Sequence, residues 1–200
     1  PGNDNLAGGP GNDTYPFDMD SALGSDTLDE SGGGIDTLDF AATTTQSITI
    51  DLGNDADQTV GANLTLNLSS GDTFEIVTGG SLGDTITGNS LANTITGRAG
   101  NDLLTGGPGN DTYLFDADAA LGADSIDESD GGIDTMNFSA TTTRTLAIDL
   151  ANAAAQVVNA FLTLNLQSGA TLENVVGGSM GDAIVGNALA NVLTGGPGND

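Results

Sequence analysis

The sequence contains no cysteine, histidine, lysine or tryptophan, and its only basic residues are Arg98 and Arg144. Without cysteine there are no disulfide staples and no thiolate metal sites. Without histidine or lysine, no serine or threonine has a ready base to make it a nucleophile, and zinc lacks its usual ligands. Twenty-eight acids against two bases give a formal charge of −26. Such a chain has no basic footprint for phosphates, so nucleic-acid binding is excluded, and anionic membranes offer it no attraction. No apolar run approaches the ~20 residues a bilayer-spanning helix needs, so membrane insertion is not expected.

High negative charge with only 4% aromatics would ordinarily favour disorder. Two features oppose that outcome. Hydrophobic residues make up 37% of the chain and are regularly spaced. The acids are chiefly aspartates at fixed offsets from the 31 glycines, a pattern that a solvated tail has no reason to keep.

The pattern is a repeat. Sliding the chain against itself by 98 residues matches it without a gap: Gly8-Gly9-Pro10-Gly11-Asn12-Asp13-Thr14-Tyr15 returns as Gly106 to Tyr113, and Leu64-Thr65-Leu66-Asn67-Leu68 as Leu162 to Leu166. The expected organisation is a first unit over 1–98, with nonapeptides at 1–16 and 79–98 and longer coils at 17–78. A second unit covers 99–196, with nonapeptides at 99–114 and 177–196 and longer coils at 115–176, and 197–200 starts a third. The sequence thus reads as a window cut from a longer tandem array.

Within each unit runs a nine-residue period. Gly79, Gly88, Gly97 and Gly106 are evenly spaced, as are Asp84, Asn93, Asp102 and Asp111, with Ile86, Ile95, Leu104 and Tyr113 two places behind. Each nonapeptide reads as a Gly/Asn/Asp turn followed by a three-residue strand with one large inward residue. Glycine at this density costs a helix interior about 1 kcal/mol apiece, so helix is improbable. The pattern fits an all-β, right-handed parallel β-roll or β-solenoid, 18 residues per coil, with coils stacked about 4.8 Å apart. The stretches 17–78 and 115–176 still alternate, as in Ile48-Thr-Ile-Asp-Leu52 and Leu146-Ala-Ile-Asp-Leu150. They read as longer coils of the same solenoid, with a small β-sandwich insert as the alternative. Tyr15, Phe17, Tyr113 and Phe115 are expected to plug the core where nonapeptides give way to these coils. Thr43-Thr44-Thr45 and Thr141-Thr142-Thr143 read as polar turns before strands. The two arginines are candidates to bridge acids on neighbouring coils.

Gly106-Gly-Pro-Gly-Asn-Asp-Thr-Tyr-Leu resembles the repeat of the RTX (hemolysin-type calcium-binding) family, written G-G-x-G-x-D-x-U-x. Gly8 to Pro16 and Gly97 to Thr105 fit as well, the latter with Arg98 at the second glycine. The resemblance implies a parallel β-roll with Ca²⁺ held between turns, export from bacteria through a type I secretion apparatus, and an extracellular or cell-surface location.

Physical chemistry reaches the same ion. Stacking sets Asp84 over Asp102, Asn93 over Asp111 and Asp182 over Asp200, like charges about one strand spacing apart. A divalent cation between turns reverses that repulsion. Ca²⁺ takes six to eight hard oxygens in flexible geometry, whereas Mg²⁺ dehydrates reluctantly. Glycine allows the φ > 0 conformations that turn carbonyls inward. The candidate ligands are Asp4, Asp13, Asp26, Asp36, Asp84, Asp102, Asp111, Asp124, Asp134, Asp182 and Asp200, the amides Asn93 and Asn191, and the turns at Gly9, Gly11, Gly100, Gly107, Gly109, Gly196 and Gly198. Neutral Asn93 and Asn191, and Leu82 and Met180 in place of the fourth-position glycine, predict weaker sites. The strongest are expected at Asp102 and Asp111. For Asp26, Asp36, Asp124 and Asp134 a plain corner closed by an Asx-turn is the alternative.

The aspartates recur with the repeat instead of converging on one cleft, so no enzyme is expected. The reading is a calcium-stabilised structural segment of a long secreted repeat protein, self-associating as a filament or surface coat or forming an adhesin stalk. The alternative is a secretion and folding module of a toxin or extracellular enzyme. An ice- or glycan-binding face is a third reading.

Overall fold

The structure, a computed structural model, describes residues 1–69, 72–167 and 171–200. The parts of the expected longer coils at 70–71 and 168–170 lie outside the described residues. Secondary structure among the described residues is entirely strand and turn. One face of the molecule is an eight-stranded parallel sheet. In spatial order its strands are Thr14–Pro16, Thr37–Asp39, Ile76–Thr78, Thr94–Thr96, Thr112–Leu114, Thr135–Asn137, Asn174–Val176 and Val192–Thr194. From the registers Thr14↔Thr37, Thr37↔Ile76, Ile76↔Thr94 and Thr94↔Thr112, the coils are 23, 39, 18 and 18 residues long, and the same steps then begin again.

The opposite face pairs the same coils. Thr49–Asp51, Thr85–Thr87, Leu103–Thr105, Gly122–Asp127 and Leu162–Leu166 run parallel in one sheet. Strands from the stretches 17–78 and 115–176 therefore lie in the same sheets as the nonapeptides, stacked as a β-solenoid. The parallel rule has two local exceptions. Gln58–Gly61 and Gln156–Asn159 each fold back antiparallel on the strand that follows, Leu64–Leu68 and Leu162–Leu166, with a register shift in each pair. In each hairpin a glutamine ties the returning strand to the strand before it. The Gln58 side chain accepts from Asp51 N at 2.9 Å and donates to Asp51 O at 3.0 Å. Gln156 does the same with Asp149.

Three-residue strands have one side chain facing in, so the core is a double file of single residues. Leu38, Val77, Ile95, Tyr113, Met136 and Val175 make one file and Leu28, Ile50, Ile86, Leu104, Ile126 and Leu166 the other, all buried. Each contributes roughly 1.5–3 kcal/mol by leaving water. The aromatic plugs fall where the 18-residue coils meet the 23-residue coil. Phe17 stacks on Phe40 with ring centroids 5.5 Å apart, Phe115 on Phe138 at 5.0 Å, and Tyr15 meets Phe74 edge-on.

Each threonine triplet follows a turn, closed by Thr43 N donating to Phe40 O and Thr141 N to Phe138 O, and the triplets also grip a carboxylate on the preceding coil. Thr44 and Thr45 hold Asp20 through both backbone and hydroxyl donors, as Thr142 and Thr143 hold Asp118. Those donors pull the Asp118 carboxyl down to about 2, the Thr143 hydroxyl contributing most. Among the described residues neither arginine is seen bridging acids on neighbouring coils. Arg98 donates to the Ala41 carbonyl, and Arg144 lies flat over the Phe161 ring, 3.6 Å from its centroid. Arg98 also carries the only positive φ of a non-glycine residue among those described, +69°, where Gly9, Gly107 and Gly196 have +82°, +85° and +90°. It keeps the backbone of the glycine it replaces.

Candidate metal centre

The turns along the two edges of the solenoid are tied together by their acids. On one edge Asp102 Oδ1 accepts from Asp84 N, Asp124 Oδ1 from Asp102 N, Asp26 Oδ1 from Asp4 N and Asp200 Oδ1 from Asp182 N. On the other, Asp36 Oδ1 accepts from Asp13 N, Asp111 Oδ1 from Asn93 N and Asp134 Oδ1 from Asp111 N. The predicted acids thus stand over one another, and all but Asp4 and Asp13, where the stacks begin, lend one oxygen to the backbone of an earlier coil, Asp84 and Asp182 reaching Ile48 N and Leu146 N. Where the long coil intervenes, Glu75 and Glu173 reach Asp36 N and Asp134 N with the extra methylene. The asparagine before the aspartate ties the stack in the other direction, Asn12 Oδ1 accepting from Ile35 N and Asn110 Oδ1 from Ile133 N.

What happens to the second oxygen divides the turns into two classes. In turns with Leu82, Leu91, Met180 or Leu189 at the fourth position, the polar side chain closes its own corner. Gly80 N donates to Asp84 Oδ2 and Gly178 N to Asp182 Oδ2, while Asn89 N and Asn187 N donate to Asn93 Oδ1 and Asn191 Oδ1. The Asn93 amide then donates to Phe74 O, and that of Asn191 to Glu173 O. These four corners are complete without an ion. In turns with glycine at the fourth position the corner stays open. Asp13, Asp102 and Asp111 each keep an Oδ2 buried with no hydrogen-bond partner, as do Asp36 and Asp134 on the following coil. All seven glycines singled out from the sequence have positive φ, from +82° at Gly9 to +157° at Gly109.

Two places gather the orphaned oxygens. Asp13, Glu30 and Asp36, and their counterparts Asp111, Glu128 and Asp134, each bring three carboxylates with oxygens within 4.8 Å of one another. Glu30 Oε2 and Glu128 Oε2 are themselves buried and unpartnered. The Glu128 carboxylate also accepts from the Tyr113 hydroxyl. The remaining predicted acids, Asp4, Asp26, Asp84, Asp102, Asp124, Asp182 and Asp200, stack along the other edge and join no three-acid cluster among the described residues. Sequence reading missed Glu30 and Glu128. A signal existed: the chain has four glutamates, and they form two pairs, Glu30 with Glu128 and Glu75 with Glu173, each offset by 98.

Unpaired buried carboxylates resist ionisation. Burial pushes Glu128 up to about 8, with Asp134 and Asp111 adding to the rise and the Tyr113 hydroxyl opposing it. Burial likewise raises Asp111 to about 6 and Asp124 to about 7, with charge from Asp134 and Asp102 respectively adding to it. Asp84 rises to about 6 for the same first reason, partly offset by its backbone donors and Arg98. Asp102, Asp134 and Glu30 are raised by burial as well. The donor set is all oxygen, hard and negative, which fits Ca²⁺ and not a metal that wants nitrogen or sulfur.

The molecule is therefore a β-solenoid whose turn edges are lined with stacked acids. The RTX calcium-binding nonapeptide repeat matches in four copies, over residues 1–15, 78–113 and 176–200. Over those residues the chain is similar to the RTX hemolysin-type calcium-binding repeat. No curated protein matches it. Among the described residues no helix is long and apolar enough to cross a membrane.

Proposed function

We propose that Ca²⁺ seats in the open turns and holds the coils together, and that the chain is a structural segment of a long secreted bacterial repeat protein. The observation that carries this reading is the set of buried, partnerless carboxylate oxygens on Asp13, Asp102 and Asp111, all inside the matched repeats. A buried charge without a partner costs several kcal/mol, so a fold that keeps so many of them implies a counter-ion. When bound, Ca²⁺ supplies that positive charge and an oxygen-rich shell. Asp4 and Asp200, each ending a Gly-Asn-Asp turn like those of Asp13, Asp102 and Asp111, join these three as ligands, with the turns at Gly9, Gly11, Gly100, Gly107, Gly109, Gly196 and Gly198. Asp36 and Asp134 complete the seats from the next coil. Asp84, Asp182, Asn93 and Asn191 act as self-closed corners, and Asp26 and Asp124 as rungs between them.

The wider role follows from repetition. Units of 98 residues repeated in tandem supply length and stiffness, suited to a filament, surface coat or adhesin stalk assembled from further copies. Because the seats exist only in the wound chain, binding energy is folding energy. Low cytosolic calcium then keeps the chain unwound for type I secretion, and extracellular calcium winds it outside. The test is a melting curve with calcium and with EGTA. At about 100 times the dissociation constant each seat adds about 2.7 kcal/mol, and superimposed curves would refute the reading.

A further inference from the structure

The nonapeptide signature does not contain a glutamate, yet Glu30 and Glu128 point orphaned oxygens at its aspartates. Strand register explains how they arrive there. Ala7 pairs with Asp29 and Thr105 with Asp127, which sets Glu30 beside Gly8 and Glu128 beside Gly106. The glutamate thus occupies, one coil on, the place of the first glycine of the nonapeptide. Its side chain fits only because that glycine has none. A Cβ on Gly106 would stand 2.3 Å from Asp111 Oδ2 and 2.5 Å from Glu128 Oε1, and one on Gly8 2.4 Å from Asp13 Oδ2 and 2.6 Å from Glu30 Oε1. Gly8 N also donates to Glu30 Oε1 at 3.2 Å.

From this geometry we infer a second kind of calcium seat, one in each 98-residue half. Asp13, Glu30 and Asp36 make the first, and Asp111, Glu128 and Asp134 the second. Each joins an open nonapeptide turn to the 23-residue coil that follows. The inference rests on the reading that calcium is the ion, and adds a ligand set that the nonapeptide motif does not encode. Three carboxylates surround one point with no cation of the protein near it, so these seats carry more charge per ion than a two-aspartate turn. Affinity of oxygen cages rises with ligand charge, so these two seats fill first and clamp the coil on which the repeat changes step.

The chain supplies its own reporter. It has no tryptophan and two tyrosines, Tyr15 and Tyr113, each two residues beyond the nonapeptide aspartate of a triad. Tb³⁺, used as the probe, should show tyrosine-sensitised emission that saturates at two ions per chain and is displaced by Ca²⁺. The double substitution Glu30→Gln with Glu128→Gln keeps the length and the acceptor for Gly8 N while removing one charge from each seat. It should weaken the sensitised sites at least about tenfold, raise the melting point of the metal-free chain and shrink its rise with calcium. A merely structural glutamate would not move the two melting points in opposite directions. Emission and melting points matching the unsubstituted chain would overturn the inference, while a calcium-dependent rise retained in both proteins would leave the calcium reading standing. No calcium-dependent rise in either protein would overturn both.

Discussion

The metal-free chain should become less stable as pH rises from 5 to 8, the reverse of ordinary acid denaturation. Glu128 has an ordinary carboxyl value of 4.5 and is raised to about 8 in the folded chain. Between those values the folded chain holds a proton that the unfolded chain has released, so each step up in pH favours unfolding. The penalty is below about 1 kcal/mol at pH 5, grows to about 3 kcal/mol at pH 7 and levels off above pH 8. Asp84 and Asp111, raised to about 6, and Asp124, raised to about 7, contribute with the same sign over the lower part of the window. In a domain of this size about 3 kcal/mol corresponds to roughly 6–12 °C in melting temperature. The assay is thermal unfolding of protein stripped of metal, followed by circular dichroism at steps from pH 5 to 8. If the stripped chain is already unwound at pH 8, the same linkage predicts that acidification towards pH 5 winds it. Saturating Ca²⁺ should remove the slope, because the ion takes the place of the proton. A metal-free melting temperature that stays level or climbs across this range would show that the triads are hydrated and ionised, and the account of the orphaned oxygens would fail.

Two substitutions test the two classes of turn. Gly106→Ala places a methyl against Asp111 Oδ2 and Glu128 Oε1, and calorimetric calcium titration should lose one seat. An unchanged ion count would show that the cradle is not where the metal sits. Asn93→Asp looks from sequence like repair of a defective nonapeptide, yet the Asn93 amide donates to Phe74 O and Glu75 O. Replacing that donor with an acceptor should cost about 1–3 kcal/mol and add no calcium seat, and a gain in ion count would contradict the closed-corner assignment.

Much of this architecture was legible because one constraint repeats. A nine-residue spacing of Gly, Asp and one large apolar residue leaves few options besides a stacked coil, and the inward files from Leu38 to Val175 sit where the spacing puts them. The hairpins at Gln58–Gly61 and Gln156–Asn159 were not legible, since Leu64-Thr-Leu-Asn-Leu68 alternates identically whether its neighbour runs parallel or antiparallel. Strand direction is set there by the tight Ala62-Asn63 and Ala160-Phe161 turns. Glu30 and Glu128 escaped for a different reason. The steps beside them are 22 residues on one face and 23 on the other, so no fixed-period alignment sets Glu30 against Gly8. The fourth-position residue tracks a structural difference: beside Leu82 and Met180, Asp84 and Asp182 close their own corners through Gly80 N and Gly178 N.

That division has a consequence for the solenoid as a whole. The coil at 79–96 closes both of its corners, at Asp84 and Asn93, and is bonded through Asn89 and Asn93 to Phe74 of the long coil. The coil at 97–114 leaves both corners open, at Asp102 and Asp111. This pair of 18-residue coils therefore sets one whose corners are closed from within beside one whose corners are open. Without ions, repulsion concentrates at the open coil and at the step onto the 23-residue coil, where Asp111, Glu128 and Asp134 converge. The long coil and the closed coil, with Phe40, Phe74, Ile50 and Ile86 buried between them, have hydrophobic contacts and paired corners to hold them. If calcium fills the open turns as proposed, metal dependence is local: the apolar files give every coil its shape, and the open turns decide whether neighbouring blocks remain stacked.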